Sequence, residues 1–264
     1  MATQLAGRPA YPSTFGRDIL RQALVIVATL ATIAVNGLAN ALPINNLTTG
    51  EISDRFQVFF VPAGYVFSIW GLIYLGLLAF TVYQALPGQR EQIVQRRIGP
   101  LYLLSALANI GWIVLWHYEQ FWATVPLMLV LLASLIAIYR VLAGTRLSTV
   151  GRILVGLPFS IYLGWISVAT VANVTAALEF SQWGGWGVSA SGWFLVMLAV
   201  ATVLGTAFAW LRRDVAYVAV LVWAFVGIAA KHGGVAVVAG TSYAAAALLV
   251  VVLVAAWLRK RAGA

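Results

Sequence analysis

The sequence predicts an all-α membrane protein, a polytopic bundle of eight transmembrane helices with both termini in the cytoplasm. Of its 264 residues, 62% are hydrophobic and only 9% are charged, and the mean hydropathy is +0.95. A water-soluble domain cannot bury that much apolar surface, so lipid must be its main solvent. The apolar residues also fall into eight stretches, each close to the ~20 residues that a helix needs to cross a bilayer.

The basic residues set the predicted orientation. Fourteen of the sixteen Lys and Arg residues precede the first stretch, follow every second stretch or close the chain. The other gaps hold only Arg55 and Lys231, together with four of the seven acids. Basic loops stay cytoplasmic during insertion, so the pattern places both ends inside. Since the net charge of +9 is accounted for in this way, we expect no nucleic-acid partner.

The predicted spans follow a short polar tail and come in order along the chain. They cover residues 19–42, 58–86, 98–117, 119–142, 151–178, 190–211, 214–230 and 234–258. No small-residue cleavage site follows the first span, so we expect it to be retained. The excess of Arg over Lys points to a bacterium, and hence to its cytoplasmic (inner) membrane. The predicted parts are a tail (1–18), a five-helix core (19–180) and a three-helix extension (181–264).

Two connections on the predicted outer side are longer than a turn. Residues 43–57 are rich in side chains that bond to backbone. They form either a compact lid over the mouth of the bundle or a mobile, solvated loop. Residues 181–191 combine Trp183 and Trp186 with three glycines. Tryptophan at an interface usually anchors a protein at its depth in the bilayer, and a ligand role is the alternative.

The composition excludes several kinds of chemistry. There is no cysteine, and His117 and His232 are the only histidines, so neither disulfides nor a metal site is expected. The interior of the first six spans has no ionisable residue, and Lys231 lies at a helix end. This argues against a proton pump, an ion-coupled transporter and a retinal protein. Because no Ser-His-Asp set can be assembled either, the sequence argues against a conventional enzyme, and we expect neither catalytic residues nor a required cofactor.

The spans contain amides and aromatic rings instead. Asn36, Asn40, Asn109 and Asn173 lie within helices, where a neutral amide needs a hydrogen-bond partner, most simply another helix. Large flat rings with few polar groups among them suit a planar, largely apolar ligand, and generic packing is the alternative. The rings concerned are Tyr65, Phe67, Trp70, Tyr74, Trp112, Trp116, Phe159, Tyr162 and Trp165.

Three motifs occur in order on the second, third and fifth spans. They are Pro62-Ala-Gly-Tyr-Val-Phe-Ser-Ile-Trp-Gly-Leu-Ile-Tyr74, Asn109-Ile-Gly-Trp112, and Tyr162-Leu-Gly-Trp165 with Asn173 eight residues further on. Together they resemble the TspO/MBR family, the tryptophan-rich sensory proteins related to the mitochondrial translocator protein. There are departures: the spacing from Tyr65 to Trp70 is one residue short, Ile161 stands at a usual proline position, and three helices follow the core.

The resemblance implies a five-helix core with a pocket, capped by the first loop, for tetrapyrroles such as protoporphyrin IX, sterols or synthetic aromatic ligands. Trp70 and Asn109 would line it and hydrogen-bond the ligand. The full set of implied ligand-binding residues is Tyr65, Phe67, Trp70, Tyr74, Asn109, Trp112, Tyr162, Trp165 and Asn173. Three functions stay open: a receptor, sensor or carrier for a planar hydrophobic ligand; an accessory structural subunit of a larger membrane complex, such as a pigment–protein complex; and a porphyrin-modifying enzyme.

The last three spans have few polar groups and many small residues, such as Gly205, Gly227 and the alanine run 244–247. Small residues allow close helix packing within a membrane. We therefore expect the extension to be an assembly module that contacts a second copy or a partner subunit. The ligand site is expected to lie wholly in the first five spans.

Topology can be tested with single cysteines at Thr48, Gln89, Ser148 and Gln182, because the chain has none of its own. On intact cells an impermeant thiol reagent should label the first and last of these positions only, since the basic loops are retained inside. Labelling at Gln89 or Ser148 would overturn the orientation.

Overall fold

The computed structural model describes residues 15–42 and 44–262, and the described residues are almost entirely helical. Most of the predicted tail lies outside them. The helices are α1 (Phe15–Ala41), α2 (Thr49–Asp54), α3 (Gly64–Ala85), α4 (Ile93–His117), α5 (Phe121–Ala143), α6 (Thr149–Phe180), α7 (Ala190–Arg212), α8 (Val215–Lys231) and α9 (Ala236–Ala262). Turns of 3-10 helix occur at Ile44–Asn46, at Pro87–Gln89, at Gly185–Gly187 and at the start of α3.

The all-α, multi-pass membrane fold is confirmed. Within the described residues, seven helices are long and apolar enough to cross a membrane, one fewer than predicted. The difference is α8, whose 17 residues are at the lower limit of a spanning helix. It still connects both ends of the bundle. Asp214, which caps its N-terminus, accepts hydrogen bonds from Tyr139 and Ser160, and Lys231 at its other end pairs with Asp54 of α2.

The second predicted span begins too early. Residues 58–63 were assigned to the membrane, but α3 begins only at Gly64. Pro62 has no N–H to donate to a helix, and the N–H of Ala63 donates to the carbonyl oxygen of Gly227 on α8 at 3.1 Å. The apolar residues before Pro62 therefore belong to a non-helical segment that packs against the bundle.

Five helices form a closed ring in the order α1, α3, α6, α5, α4 and back to α1. Small residues allow close approach within it: a Cβ atom at Gly76 on α3 would lie 3.0 Å from the Cβ of Pro158 on α6. Polar side chains also join the helices, since Thr29 on α1 bonds both Thr81 on α3 and Tyr102 on α4, at 2.7 and 2.6 Å. The five helices of the ring lie between Phe15 and Phe180.

The remaining helices attach to the ring mainly through α8. A Cβ atom at Gly164 on α6 would lie 3.1 Å from the carbonyl oxygen of Tyr217 on α8, so these two helices are in close contact. Helix α9 packs against α8, and α7 packs against α9. In its middle α8 contacts the start of α3, where the indole N–H of Trp223 donates to the carbonyl oxygen of Val66 at 3.2 Å.

The segment 44–63, which we call the lid, is folded rather than a solvated loop. Thr48 and Glu51 form a capping box that starts α2. Thr49 bonds α4 twice: its hydroxyl lies 3.0 Å from Nε2 of His117, and its carbonyl oxygen accepts from the indole N–H of Trp116 at 3.3 Å. Ion pairs of Arg55 with Glu119 and of Asp54 with Lys231 hold the rest of the segment.

The contact between α8 and the lid predicts a specific effect of one methyl group. Gly227→Ala would place a Cβ against the γ-methyl of Val66 and 3.2 Å from the Cβ of Pro62. We expect this overpacking to lower the free energy of unfolding by about 1–3 kcal/mol, measured by denaturant titration in detergent micelles. The matched control is Gly240→Ala on α9, where a Cβ meets no atom within 4 Å. At that position alanine should leave the free energy of unfolding unchanged or raise it. Equal effects of both substitutions would contradict the contact.

The capping box predicts that the lid loosens in acid. Hydrogen bonds from the backbone N–H and the hydroxyl of Thr48 hold the pKa of Glu51 below its ordinary 4.5. The ionised side chain therefore stabilises α2 above pH 4.5, and this contribution is lost as the pH falls through the lowered pKa. Hydrogen exchange of the α2 amides, corrected for the intrinsic rate, should show falling protection below that pH. In Glu51→Gln the protection should not vary with pH over this range; a parallel fall there would assign the effect to another group.

Candidate functional site

The candidate site lies at the lid end of the ring, where three helices present aromatic side chains to one another. Trp70 stacks on Tyr74 one helical turn further along α3, with ring centroids 5.5 Å apart. The edges of two α6 rings contact Trp70: Tyr162 at 6.0 Å and Trp165 at 6.2 Å. Phe67 contacts the same Trp165 ring at 5.7 Å. These contacts make one aromatic wall between α3 and α6.

A second wall comes from α4. Trp112 and Trp116 are four residues apart on one face of the helix and stack with a centroid distance of 5.5 Å. Trp116 in turn contacts the edge of Phe121 on α5 and the ring of Phe56 in the lid. Because its indole N–H also donates to the lid carbonyl at Thr49, Trp116 joins the wall to the cover of the site.

A chain of amide hydrogen bonds crosses the ring below these rings. Nδ2 of Asn36 on α1 donates to Oδ1 of Asn109 on α4 at 2.7 Å, and Nδ2 of Asn109 donates to the Tyr162 hydroxyl on α6 at 3.1 Å. Asn109 is fully buried, and both polar atoms of its side chain have partners. It therefore joins three helices, as expected for amides that hold membrane helices together.

Two small cavities lie on either side of Phe67 and Trp70. One, which we call the tryptophan cavity, has a volume of about 40 Å³. The other has about 140 Å³ and opens between α1, α3, α4 and the lid. Thr49, Phe67 and Trp70 line both. Each is smaller than the ~300 Å³ at which ligand pockets usually begin, so a large ligand needs the two to merge.

Three polar atoms of residues lining the tryptophan cavity have no hydrogen-bond partner within the described chain. They are Nε1 of Trp112, Nε1 of Trp165 and Oδ1 of Asn173. The other amide atom of Asn173 is occupied, because Nδ2 donates to the Thr124 hydroxyl at 2.7 Å. An unsatisfied buried polar group costs about 1–3 kcal/mol, and three at one cavity indicate a place for a bound polar atom, from a ligand or from water.

The predicted site residues are placed as follows. Five of the nine line the tryptophan cavity: Phe67, Trp70, Trp112, Trp165 and Asn173. Tyr74 lines the neighbouring cavity, while Asn109 and Tyr162 are buried and bonded to each other.

Tyr65 is not brought to the site. Its side chain is 48% exposed and its ring contacts Trp223 on α8, at a centroid distance of 5.3 Å. Two residues of advance rotate a side chain by about 240° in the 3-10 turn Gly64–Ser68. An α-helix would rotate it by about 200°, so Tyr65 faces away from Phe67 in either geometry.

Sequence reasoning did not assign the remaining lining residues of the tryptophan cavity. The lid contributes Thr49, Ser53, Val61 and Pro62, and α6 adds Val168, Ala169 and Ala172. Trp116 of α4 also lines the cavity; it was among the rings noted from the sequence but not among the implied ligand-binding residues. A usable signal existed for the lid. Thr48 followed three positions later by Glu51 is the pattern of a capping box, which predicts a helix start at this place.

The described residues contain no group of three or more His, Cys, Asp or Glu side chains that could hold a metal ion.

A family model described as TSPO-like protein matches residues 22–255, so the match takes in the ring and most of the three C-terminal helices. Neither the curated proteins nor the solved structures contain a significant match. The matched range covers most of the chain, and residues of all three sequence motifs lie at the aromatic site within the helix ring. This protein therefore belongs to the TSPO-like family.

Proposed function

We propose that this protein is a membrane receptor, sensor or carrier that binds a planar hydrophobic ligand, a tetrapyrrole or a molecule of similar shape, in the aromatic site of the ring. The observation that carries the proposal is the set of three unpartnered polar atoms on residues that line one cavity, together with five aromatic rings in the same lining. Membership of the TSPO-like family supports a ligand-binding role in a membrane. We assign the protein to a bacterial cytoplasmic membrane as part of the same proposal.

The chemistry of the three atoms defines the ligand that fits. The indole N–H groups of Trp112 and Trp165 donate only, so they suit carboxylate or carbonyl oxygens. Oδ1 of Asn173 accepts, and suits a ligand N–H or O–H. A tetrapyrrole carries carboxylates on its edge, N–H groups in its ring and a flat apolar face that can stack on the tryptophans. Asn109, by contrast, is already fully bonded and would support the site rather than bind the ligand.

Ligand entry must enlarge the site. Phe67 and Trp70 separate the two cavities and are held by edge contacts to Tyr162 and Trp165. Such aromatic pairs contribute about 0.5–1.5 kcal/mol each beyond their buried area. A planar ligand that stacks in their place regains contacts of the same kind. The proposed binding step is therefore a displacement of these two rings, together with movement of Thr49 in the lid.

The division of the chain into a core at 19–180 and an extension at 181–264 stays a proposal. It is supported by the closed ring and by the fact that all lining residues of the tryptophan cavity lie in the core.

A second function is favoured by the outer helices: α7 and α9 present apolar side chains such as Val203, Leu211 and Val251 outwards. We propose that this surface contacts a second copy or a partner subunit in the membrane.

The ligand proposal is tested with Trp112→Phe and Trp165→Phe, which remove the unpartnered donors and keep an aromatic ring. Each should weaken protoporphyrin IX binding by about 1–3 kcal/mol, the scale for losing a buried hydrogen bond. Affinity is measured by absorption and fluorescence titration of the full-length protein in micelles.

The matched control is Trp257→Phe on α9, a half-exposed ring remote from the ring site, which should bind as the unchanged protein does. If the unchanged protein binds porphyrin and both site variants bind equally well, the ligand lies elsewhere. No binding by any of them would remove tetrapyrroles from the ligand class.

A further inference from the structure

A larger cavity, of about 300 Å³, lies between the core and the extension at the lid end. It shares no lining residue with the two cavities around Trp70. Its walls come from the end of α6, residues 57–60 of the lid, the connection before α7 and the first two turns of α7. We call it the interface cavity. Its volume lies at the lower end of the range for small-molecule sites, ~300–1,000 Å³.

One side of the interface cavity is formed by packed tryptophan side chains. Trp183, Trp186 and Trp193 form a cluster with ring centroids 5.2–6.0 Å apart, and Trp183 and Trp193 line the cavity. The indole N–H of Trp193 donates to the carbonyl oxygen of Gly185 at 2.8 Å. Gly185 is buried with φ +64°, a conformation that favours glycine, so the turn and the tryptophan fix each other.

A second group of aromatic rings also lines the cavity. Phe194 at the start of α7 is almost fully buried and contacts Phe59 and Phe60 of the lid, with centroids 6.3 and 6.2 Å apart. Phe59 is held from its other side by the ring of His232 at 5.4 Å. Two groups of packed rings therefore contribute to the lining of the cavity.

One carboxylate of this cavity has no cationic partner among the described residues. Glu179 lines the cavity and is exposed, so its charge lies where the cavity meets solvent. The basic groups nearby are occupied, since Arg55 pairs with Glu119 at 2.6 Å and Lys231 pairs with Asp54 at 2.5 Å. Burial lowers the pKa of His232, which keeps that ring uncharged at neutral pH.

We infer that the interface cavity binds an organic cation, a quaternary or protonated ammonium group on a compact apolar body. The ammonium would lie against the rings of Trp183 and Trp193 beside Glu179, and the apolar body against Phe194. Aromatic faces attract cations, tryptophan most strongly, and a carboxylate adds complementary charge. A zwitterionic lipid head group would bring a phosphate towards Glu179, which the like charge opposes. We therefore assign the site to a free monocation, independently of the porphyrin proposal.

The probe is benzyltrimethylammonium, titrated calorimetrically into the full-length protein in nanodiscs of an uncharged glycolipid. Glu179→Gln should weaken binding on the order of threefold at low salt, the scale of a solvent-exposed charge pair, and added salt should remove the difference. The matched control is Glu51→Gln, another lid-end acid without a cation. It does not line the cavity, and glutamine can still form the capping box. The affinity of Glu51→Gln for the probe should equal that of the unchanged protein.

The contribution of the Trp183 indole ring to cation binding is tested by two substitutions at that position. Trp183→Leu should weaken binding by about 2- to 30-fold, the range for cation–π contacts, whereas Trp183→Phe should retain most of it. The assignment is overturned if the uncharged carbon analogue neopentylbenzene binds as well as the probe. It is also overturned if Glu179→Gln and Glu51→Gln bind the probe with the same affinity, or if Trp183→Leu and Trp183→Phe bind it with the same affinity. If phosphatidylcholine in the nanodisc abolishes probe binding, the occupant is a lipid head group and the free-cation assignment is wrong.

Discussion

The arrangement of this bundle depends on the pairing of polar side chains along the buried face of α1. In a hydrocarbon core no water competes for such groups, so a partner on another helix stabilises them. At the basic end, Asp18 forms a bidentate ion pair with Arg96 of α4. In the middle, Thr29 bonds α3 and α4 together, and at the lid end Asn36 bonds Asn109. These layers fix the rotation and depth of α1 against its neighbours, which apolar packing alone would leave adjustable.

That constraint sets the position of the aromatic site. Because Asn109 also donates to Tyr162, the α1 contact extends to α6 and holds the three helices at one level. Trp112 lies one turn above Asn109, and Trp165 lies one turn above Tyr162, so the same bonds bring their rings to one cavity. The site thus combines a fully satisfied layer below with three unsatisfied polar atoms above it. The contrast separates residues that build the ring from residues that remain available to a ligand.

The helices follow from the sequence for physical reasons that are local, whereas the set of cavity residues came from the resemblance of three motifs to the family. Trp70 with Tyr74 and Asn109 with Trp112 share helix faces through 3.6-residue periodicity, and the spans follow from length and charge. The failures arose where another part of the chain decides the structure. Residues 58–63 are apolar because they pack against α7 and α8, and the ring of Tyr65 contacts Trp223 of α8. The pair of Asp54 with Lys231 joins residues 177 positions apart, which no local pattern encodes.

The role of α8 follows from these long-range contacts. Its close contact at Gly164 attaches it to the ring, while Gly227, Trp223 and Lys231 hold the start of α3 and the lid. The cavity is lined wholly by core residues, yet its cover is fixed in part by a helix outside the core. Any movement of the lid that admits a ligand therefore acts against bonds to α8. The last three helices are in this way joined by contacts to the cover of the site, since α8 packs against the lid on one side and against α9 on the other.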